Sequence, residues 1–184
     1  MSGLIRLGWA AVSAGDDRRK VAWRLLREVV GNPGIRISNP CPRCGGDHGP
    51  VRIEGAAVTA SVTYAGGWAL VAVVPSHAGA VGVDAEPEDD ERRERAGLAG
   101  VLGAGSATVR DWVRVEAALK ADRRGLRVEP GTVRVTRGRG GGTDASAADM
   151  GAWHAHVPGH GGTIAGWDLA GPPGVFVSAA IARD

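Results

Sequence analysis

The chain has 184 residues, of which 43% are hydrophobic, and a formal net charge of +2. This size and composition predict a globular protein that buries a core, built as one domain or as two small lobes. The small net charge argues against a general nucleic-acid coat protein, and the absence of a long apolar run argues against a membrane span.

Two cysteines in a chain of this length do not form a disulfide framework. The N-terminal segment lacks the apolar core and the cleavage pattern of a signal peptide, and it is predicted to form a strand. We therefore expect a cytoplasmic protein that binds neither nucleic acid nor membranes. The 30 glycines, with abundant Ala, Arg and Val, indicate a GC-rich coding bias, so single glycine positions receive little weight.

The pattern of apolar residues predicts strands and helices in a mixed order. After a strand over residues 4–12, Asp16 and Asp17 predict the start of a helix. Its apolar side chains recur at helical spacing up to Val30, and residues 31–33 (GNP) predict its end.

The remainder of the chain is predicted to consist of strands around one second helix. This helix begins at Ser106 or Thr108 and ends at Ala121. Strands are predicted at 51–60, 68–74, 80–86, 132–136, 153–157, 163–169 and 175–182. Loops are predicted at 38–50 and 137–148, and the charged residues 88–95 are predicted to form a solvated helix or a loop.

This order of elements predicts an α+β fold, with helices on one face of mostly antiparallel sheets. A predicted hinge over residues 75–79 divides the chain. The N-terminal lobe comprises residues 1–77 and the C-terminal lobe comprises residues 78–184.

Two segments place acidic groups where they can share a cation. Asp84 and Glu86 are separated by one residue on a predicted strand, so both side chains point to the same side. Trp112, Glu116 and Lys120 recur every four residues and form one ridge of the second helix. If the strand faces that ridge, three carboxylates and one ammonium converge. Because magnesium prefers carboxylate ligands, a magnesium ion held by Asp84, Glu86 and Glu116 is predicted.

Lys120 is one of only two lysines among the 22 basic residues of the chain. It stands out because a compact ammonium and a planar guanidinium are not interchangeable. The simpler interpretations are an acidic loop for Asp84 and Glu86, and an ordinary helix-surface ion pair for Glu116 and Lys120.

The same two segments resemble the motifs of the 4′-phosphopantetheinyl transferases of the larger, surfactin-type class. In that family a strand ends in G-[IV]-D-x-E, and residues 82–86 read GVDAE. A later helix carries W-x-x-K-E-A-x-x-K before a G-L turn; residues 112–120 read WVRVEAALK, and 125–126 read GL. The strand entry S-H-[ST]-G-G-x-A-L-V-A-V is matched by TYAGGWALVAV over residues 63–73. The resemblance runs along most of the chain.

The resemblance implies two similar lobes in pseudo-twofold arrangement, with coenzyme A bound between them. It implies transfer of 4′-phosphopantetheine from coenzyme A to a serine of an acyl or peptidyl carrier protein, with magnesium as the cofactor. Glu116 is then the candidate base, and Lys120 is the cation that holds the transferred phosphoryl group. Arg18, Thr63, Tyr64 and Lys120 are the expected contacts to coenzyme A, and a monomer is expected.

Arg18 is the residue to which the resemblance assigns the 3′-phosphate of the nucleotide. Arg19 and Lys20 beside it could serve the same purpose near a helix start, and Arg52 is a weaker candidate. The simpler interpretation of this group is a solvated basic face.

The chain departs from the family pattern at two positions. Tyr64 stands where the family has a histidine, and Val115 stands where it has the first lysine of the helix motif. Both changes remove a side chain that can carry positive charge toward phosphate, so weak activity is expected. The alternative is a non-catalytic homologue that binds coenzyme A or a carrier protein without transfer.

Residues 41–50 read CPRCGGDHGP, and their C-x-x-C pair is half of a zinc site. The other ligands would have to come from His48 or from His154, His156 and His160. A complete site would indicate a different class of function, a small zinc-stabilised module that binds nucleic acid or protein. For His154 and His156, which alternate on a predicted strand, a surface position is the simpler expectation.

Overall fold

A computed structural model describes residues 4–89, 97–102, 108–137 and 151–183. Part of the predicted charged segment, from residue 90 onward, lies outside the described residues, as do Ser106 and residues 138–148 of the predicted linker. In the described part of the chain, no helix is both long enough and apolar enough to cross a bilayer.

In the described part of the chain, runs of consecutive strands are interrupted by a few helices, so the fold is α+β, as the sequence predicts. The helices are α1 (Arg18–Val30), α2 (Leu98–Leu102) and α3 (Val109–Asp122). The strands are β1 (Arg6–Ala11), β2 (Arg36–Ser38), β3 (Arg52–Glu54), β4 (Val58–Ala65), β5 (Trp68–Pro75), β6 (Ala80–Pro87), β7 (Arg134–Arg137), β8 (Ala152–His156), β9 (Thr163–Leu169) and β10 (Val175–Ala182).

The strands form two antiparallel sheets and one short ribbon. The first sheet has the order β1-β5-β4, the second has the order β6-β10-β9-β8-β7, and the ribbon pairs β2 with β3. The chain passes from the first sheet to the second between Pro75 and Ala80, at the predicted hinge, where Ser76–Ala78 form a short 3-10 turn. The predicted strand over 51–60 is interrupted at Gly55, whose φ of +92° ends β3 before β4 begins.

Helix α1 begins where the sequence predicts because Asp17 caps it. The Asp17 carboxylate accepts hydrogen bonds from the backbone N–H groups of Arg19 and Lys20. At the other end, Gly31 adopts the left-handed conformation with φ of +74°. The apolar face of α1, which includes Leu26, packs on the first sheet.

Strand β5 is buried on both faces because it is the central strand of the first sheet. Its alternate residues Ala69, Val71 and Val73 pack against α1. The intervening residues Leu70, Ala72 and Val74 pack in a second cluster with apolar residues of β6, β9 and β10. This second cluster joins the two sheets.

Helix α3 packs on the second sheet. Val113 and Leu119 are fully buried there with Trp153, Ile164 and Ala180. The helix starts at a capping box, in which the Asp111 backbone N–H donates to Thr108 Oγ1 and the Thr108 backbone N–H donates to Asp111 Oδ2. The cap fixes the register of α3, and hence which of its residues face β6.

Candidate functional site

The candidate site lies where an edge strand of each sheet meets the other. Strands β4 and β6 lie side by side but belong to different sheets. Hydrogen bonds that involve side chains join them. The Val83 backbone N–H donates to Ser61 Oγ over 3.1 Å, and Thr59 Oγ1 donates to the Gly79 carbonyl over 2.8 Å. These bonds, of which the one from Val83 is buried, fix the position of β6 beside β4, so residues of both strands line the same space.

Gly82 allows α3 to approach the other face of β6 closely. A Cβ atom at Gly82 would lie 2.1 Å from the Ala117 carbonyl oxygen and 2.4 Å from the Ala121 nitrogen. Val83 and its apolar neighbours point to the opposite face of β6, into the cluster between the sheets. Asp84 and Glu86 therefore share the face of Gly82, toward α3, as the alternation of the sequence predicts.

Asp84 is held by residues from two other elements. Its Oδ1 accepts a hydrogen bond from Lys120 Nζ of α3 over 2.7 Å and from Thr63 Oγ1 of β4 over 3.1 Å. Lys120 Nζ also donates to the Val83 carbonyl over 3.1 Å. Among the described residues, Asp84 Oδ2 is buried and has no hydrogen-bond partner. One oxygen of this carboxylate is thus fixed by hydrogen bonds, while the other is buried without a hydrogen-bond partner among the described residues.

A cavity of about 390 Å³ opens beside Asp84, and we call it the carboxylate cavity. The residues predicted to bind magnesium, to act in catalysis or to be the principal contacts to coenzyme A line it, together with Trp112. These residues are Arg18, Thr63, Tyr64, Asp84, Glu86, Glu116 and Lys120. Residues of β6 and of the α3 ridge therefore line one cavity, and a magnesium ion shared by the three carboxylates stays a prediction.

A second cavity of about 630 Å³ adjoins the first, and we call it the basic cavity. It shares Arg18, Val62, Tyr64 and Lys120 with the carboxylate cavity. Its basic lining residues are Arg18, Arg19, Arg43, Lys120, Arg123, Arg124 and Arg127. Asp47 is the acidic lining residue and lies 3.5 Å from Arg19 in an ion pair. This concentration of positive charge suits a ligand with several phosphates.

Several residues of the basic cavity were not singled out from the sequence. Arg123 and Arg124 directly follow α3, and Trp23 lies one turn beyond the predicted Arg18 and Arg19. Arg123 adopts a left-handed conformation with φ of +63°, which is uncommon for a residue other than glycine. The run of basic residues at the C-terminus of the second predicted helix was the sequence signal that could have indicated this part of the basic cavity.

Tyr64 packs against the predicted phosphate ligand. The Arg18 guanidinium carbon lies 4.8 Å from the centre of the Tyr64 ring, in a cation–π contact. Burial raises the pKa of the Tyr64 phenol, although the charges of Arg18 and Arg19 oppose this effect. Tyr64 is therefore a neutral hydrogen-bonding group at neutral pH, and Arg18 supplies the positive charge beside it.

Val115 does not occupy the position that the family motif predicts for a phosphate contact. It is 3% exposed and packs in the core beneath α3, so a lysine there would be buried away from both cavities. The neighbouring Arg114 is also buried and pairs with Asp168 of β9, its Nη2 lying 2.5 Å from Asp168 Oδ2. The expectation that Val115 weakens a phosphate contact is therefore wrong for this structure.

The C-x-x-C segment forms a compact loop at the wall of the basic cavity. The ligand atoms of Cys41, Cys44 and His48 all lie within 4.8 Å of one another. Backbone hydrogen bonds from Arg43 and Cys44 lower the pKa of the Cys41 thiol to about 7. Among the described residues, the carboxylates of the other cavity do not meet the same distance criterion.

The late histidines do not contribute to this loop. His154 and His156 are exposed on β8, as predicted. His160 pairs with Asp122, its Nδ1 lying 3.1 Å from Asp122 Oδ1. Arg52, the weaker phosphate candidate, lies on β3 and lines neither cavity.

Comparison of the chain with protein-family models and with curated proteins finds no match. The arguments for function therefore depend on the site itself and on the motifs of the sequence.

Proposed function

We propose that this protein transfers 4′-phosphopantetheine from coenzyme A to a serine of an acyl or peptidyl carrier protein. The observation that supports the proposal most strongly is one shared cavity. Asp84 and Glu86 of β6, and Glu116 and Lys120 of α3, line the carboxylate cavity, which adjoins the basic cavity. A pyrophosphate bond that is to be broken needs carboxylates for a metal ion and cations for its phosphates.

Magnesium is the cofactor that this proposal includes. Asp84, Glu86 and Glu116 would hold it, and the buried Asp84 Oδ2, which has no partner among the described residues, supplies an oxygen suited to a hard cation. To share one ion, the longer Glu86 and Glu116 side chains would turn toward Asp84. A bound magnesium would neutralise negative charge on the pyrophosphate.

The chain's own residues divide the chemistry between them. The serine oxygen of the carrier protein attacks the phosphorus that bears pantetheine, and the bond from that phosphorus to the bridging oxygen breaks. Glu116 takes the serine proton, and 3′,5′-ADP leaves with the bridging oxygen. Lys120 directs its remaining N–H group to the phosphoryl oxygens, since two of its donors already bond Val83 and Asp84.

The basic cavity would hold the nucleotide of coenzyme A in this proposal. Coenzyme A carries a pyrophosphate and a 3′-phosphate, and each charge-assisted contact to phosphate stabilises binding by roughly 1.5–3 kcal/mol. Arg18 lines both cavities, so one side chain can bridge the two parts of the ligand. The division of the chain into lobes 1–77 and 78–184 with pseudo-twofold symmetry belongs to the same proposal.

The test is incubation of the full chain with coenzyme A, magnesium and a panel of apo carrier proteins from fatty-acid, polyketide and nonribosomal peptide assembly. We expect an accepted carrier to gain the mass of one phosphopantetheine arm at its conserved serine attachment site. The matched control is the same carrier with that serine replaced by alanine. If no carrier gains mass while coenzyme A still binds, the non-catalytic alternative holds instead.

A further inference from the structure

The loop of Cys41, Cys44 and His48 has the geometry of a metal site that the proposed transfer reaction does not use. Cys44 Sγ lies 3.5 Å from His48 Nε2, and the Cys41 sulfur lies within 4.8 Å of both. With Zn–S near 2.3 Å and Zn–N near 2.0 Å, a sulfur and a nitrogen on one tetrahedral ion lie about 3.5 Å apart. The side chains thus have the separation that a shared ion requires.

The backbone of the loop is built to bring these side chains together. The Cys41 N–H donates to the Gly46 carbonyl over 2.7 Å, and the Gly45 N–H donates to the Cys41 carbonyl over 2.9 Å. Gly45 has a φ of +71°, which turns the chain back toward Cys41. A Cβ atom at Gly46 would lie 3.4 Å from both Cys44 Sγ and the His48 ring, so Gly46 lies directly beside two of the ligands.

The oxidation state of the two cysteines also permits metal binding. Both cysteines are free thiols in the structure, so no disulfide removes them from metal binding.

We propose that Cys41, Cys44 and His48 bind one zinc ion at the wall of the basic cavity. Two sulfurs and one imidazole select a borderline-soft ion such as Zn²⁺ over magnesium. Three protein ligands leave the fourth tetrahedral position to water or to a ligand from the cavity, which Cys41 and His48 line. Binding releases the thiol protons to solvent and changes no oxidation state. The inference stands whether or not the protein transfers phosphopantetheine.

The ion would stabilise the loop that anchors Arg19. The Asp47 carbonyl, next to His48, accepts hydrogen bonds from Arg19 Nη2 over 2.6 Å and from Asn39 Nδ2 over 3.0 Å. A loop held at three ligands keeps this carbonyl, and hence the Arg19 guanidinium, in place beside the cavity. We expect zinc-loaded protein to unfold at a higher temperature than metal-free protein, because a ligand that binds the native state stabilises it.

The test measures the zinc content of the full chain, expressed with added zinc, purified under reductant and desalted. We expect about one zinc per chain in the parent and less than about one tenth in Cys41→Ser and Cys44→Ser. His154→Ala, which changes an exposed histidine on β8, is the matched control and should keep the zinc of the parent.

Cobalt substitution of the unchanged chain gives a result that does not depend on a variant folding. Cobalt(II) at this site should show a thiolate-to-cobalt charge-transfer band and the strong visible bands of tetrahedral coordination. Both thiols should resist alkylation with zinc bound and react after a chelator removes it. A parent with neither zinc nor the cobalt bands, its thiols free or joined as a disulfide, overturns the proposal. Equal zinc in the parent and in both Cys41→Ser and Cys44→Ser marks an adventitious ion and overturns it as well.

Discussion

Lys120 of α3 and Asp84 of β6 form an ion pair, with 2.7 Å between Nζ and Oδ1, at the junction of the carboxylate and basic cavities. The Asp84 side chain is 7% exposed and that of Lys120 is 31% exposed. The pair joins β6, which carries Asp84 and Glu86, to α3, which carries Glu116 and Lys120. Each partner is therefore expected to influence both metal binding and catalysis.

Asp84→Asn tests the metal part of the proposal. The amide keeps the shape of the side chain and removes the charge that would bind magnesium, so we expect transfer to fall by about a hundredfold or more. Magnesium binding, measured by calorimetry, should weaken in parallel. Thr63→Val, which removes only the hydroxyl donor to Asp84, is the matched control and should have the smaller effect. Parent-like transfer and magnesium binding in Asp84→Asn would contradict the metal assignment.

Lys120→Ala tests the assignment of the cation. We expect turnover to fall by about a hundredfold while coenzyme A affinity changes much less, because the charge acts on the group in transfer. Lys20→Ala is the control, since the structure places this other lysine at an exposed position of α1 that lines neither cavity, although the sequence left it as a possible phosphate contact. Steady-state kinetics of both variants separate the effect on turnover from the effect on coenzyme A affinity. Similar kinetics for Lys120→Ala and Lys20→Ala would mean that Lys120 forms the ion pair with Asp84 but has no role in catalysis.

Gly82→Ala tests the contact that brings α3 to β6. A methyl group there meets the Ala117 carbonyl, so the helix must shift away, and we expect the free energy of unfolding to fall by about 1–3 kcal/mol. Gly162→Ala is the control, because nothing lies within 4 Å of a Cβ atom at that position. Urea unfolding of both variants measures the difference. Equal stability of the two variants would mean that α3 does not approach β6 as described.

Substitutions of Tyr64 test the contact between its aromatic ring and Arg18. A cation–π contact at a partly exposed site stabilises by about 0.5–1 kcal/mol, so Tyr64→Ala should weaken coenzyme A binding about two- to fivefold. Tyr64→Phe keeps the ring and should bind like the parent. Calorimetric titration with coenzyme A measures both. An equal loss in Tyr64→Phe and in Tyr64→Ala would assign the role to the hydroxyl instead.

Asp168 gives the expected pH dependence of stability. Burial alone would raise the pKa of its carboxyl, but hydrogen bonds from Arg114 and Ser178, with the charges of Arg114 and Arg110, outweigh burial and lower it. A lowered pKa in the folded state contributes stability above the unfolded pKa, near 3.9, and this contribution is lost as the pH falls through the folded pKa.

The stability difference between the parent and Asp168→Asn should therefore be largest at neutral pH and should shrink as the pH falls below about 4. Urea unfolding of both proteins across this pH range measures it. Ser178→Ala, which removes one donor to the carboxylate, should show an intermediate difference. A difference that is constant with pH would contradict the lowered pKa.

The sequence predicts the site best where a simple period decides which way a side chain points. Alternation on β6 put Asp84 and Glu86 on one face, and helical spacing put Glu116 and Lys120 on one ridge. The helix starts were predictable because the capping residues, such as Asp17, are local signals.

The features of the site that could not be predicted from the sequence depend on contacts between residues far apart in the chain. α3 is buried around most of its circumference, so its sequence does not show that Val115 faces the core while Glu116 lines the cavity. The side-chain bonds between β4 and β6 have no periodic signal. Discounting glycines for coding bias was wrong at Gly82, where only the packed structure reveals the close approach of the helix.

The most direct test of the proposed transfer follows both products of one reaction. Accepted apo carrier protein, coenzyme A and magnesium are mixed with the parent or with Glu116→Gln, and arm-bearing carrier and 3′,5′-ADP are quantified over time. The account predicts one 3′,5′-ADP for each arm transferred by the parent, and a rate lower by about a hundredfold in Glu116→Gln, which cannot take the serine proton. Equal rates for the two proteins, or 3′,5′-ADP released without arm transfer, would contradict it.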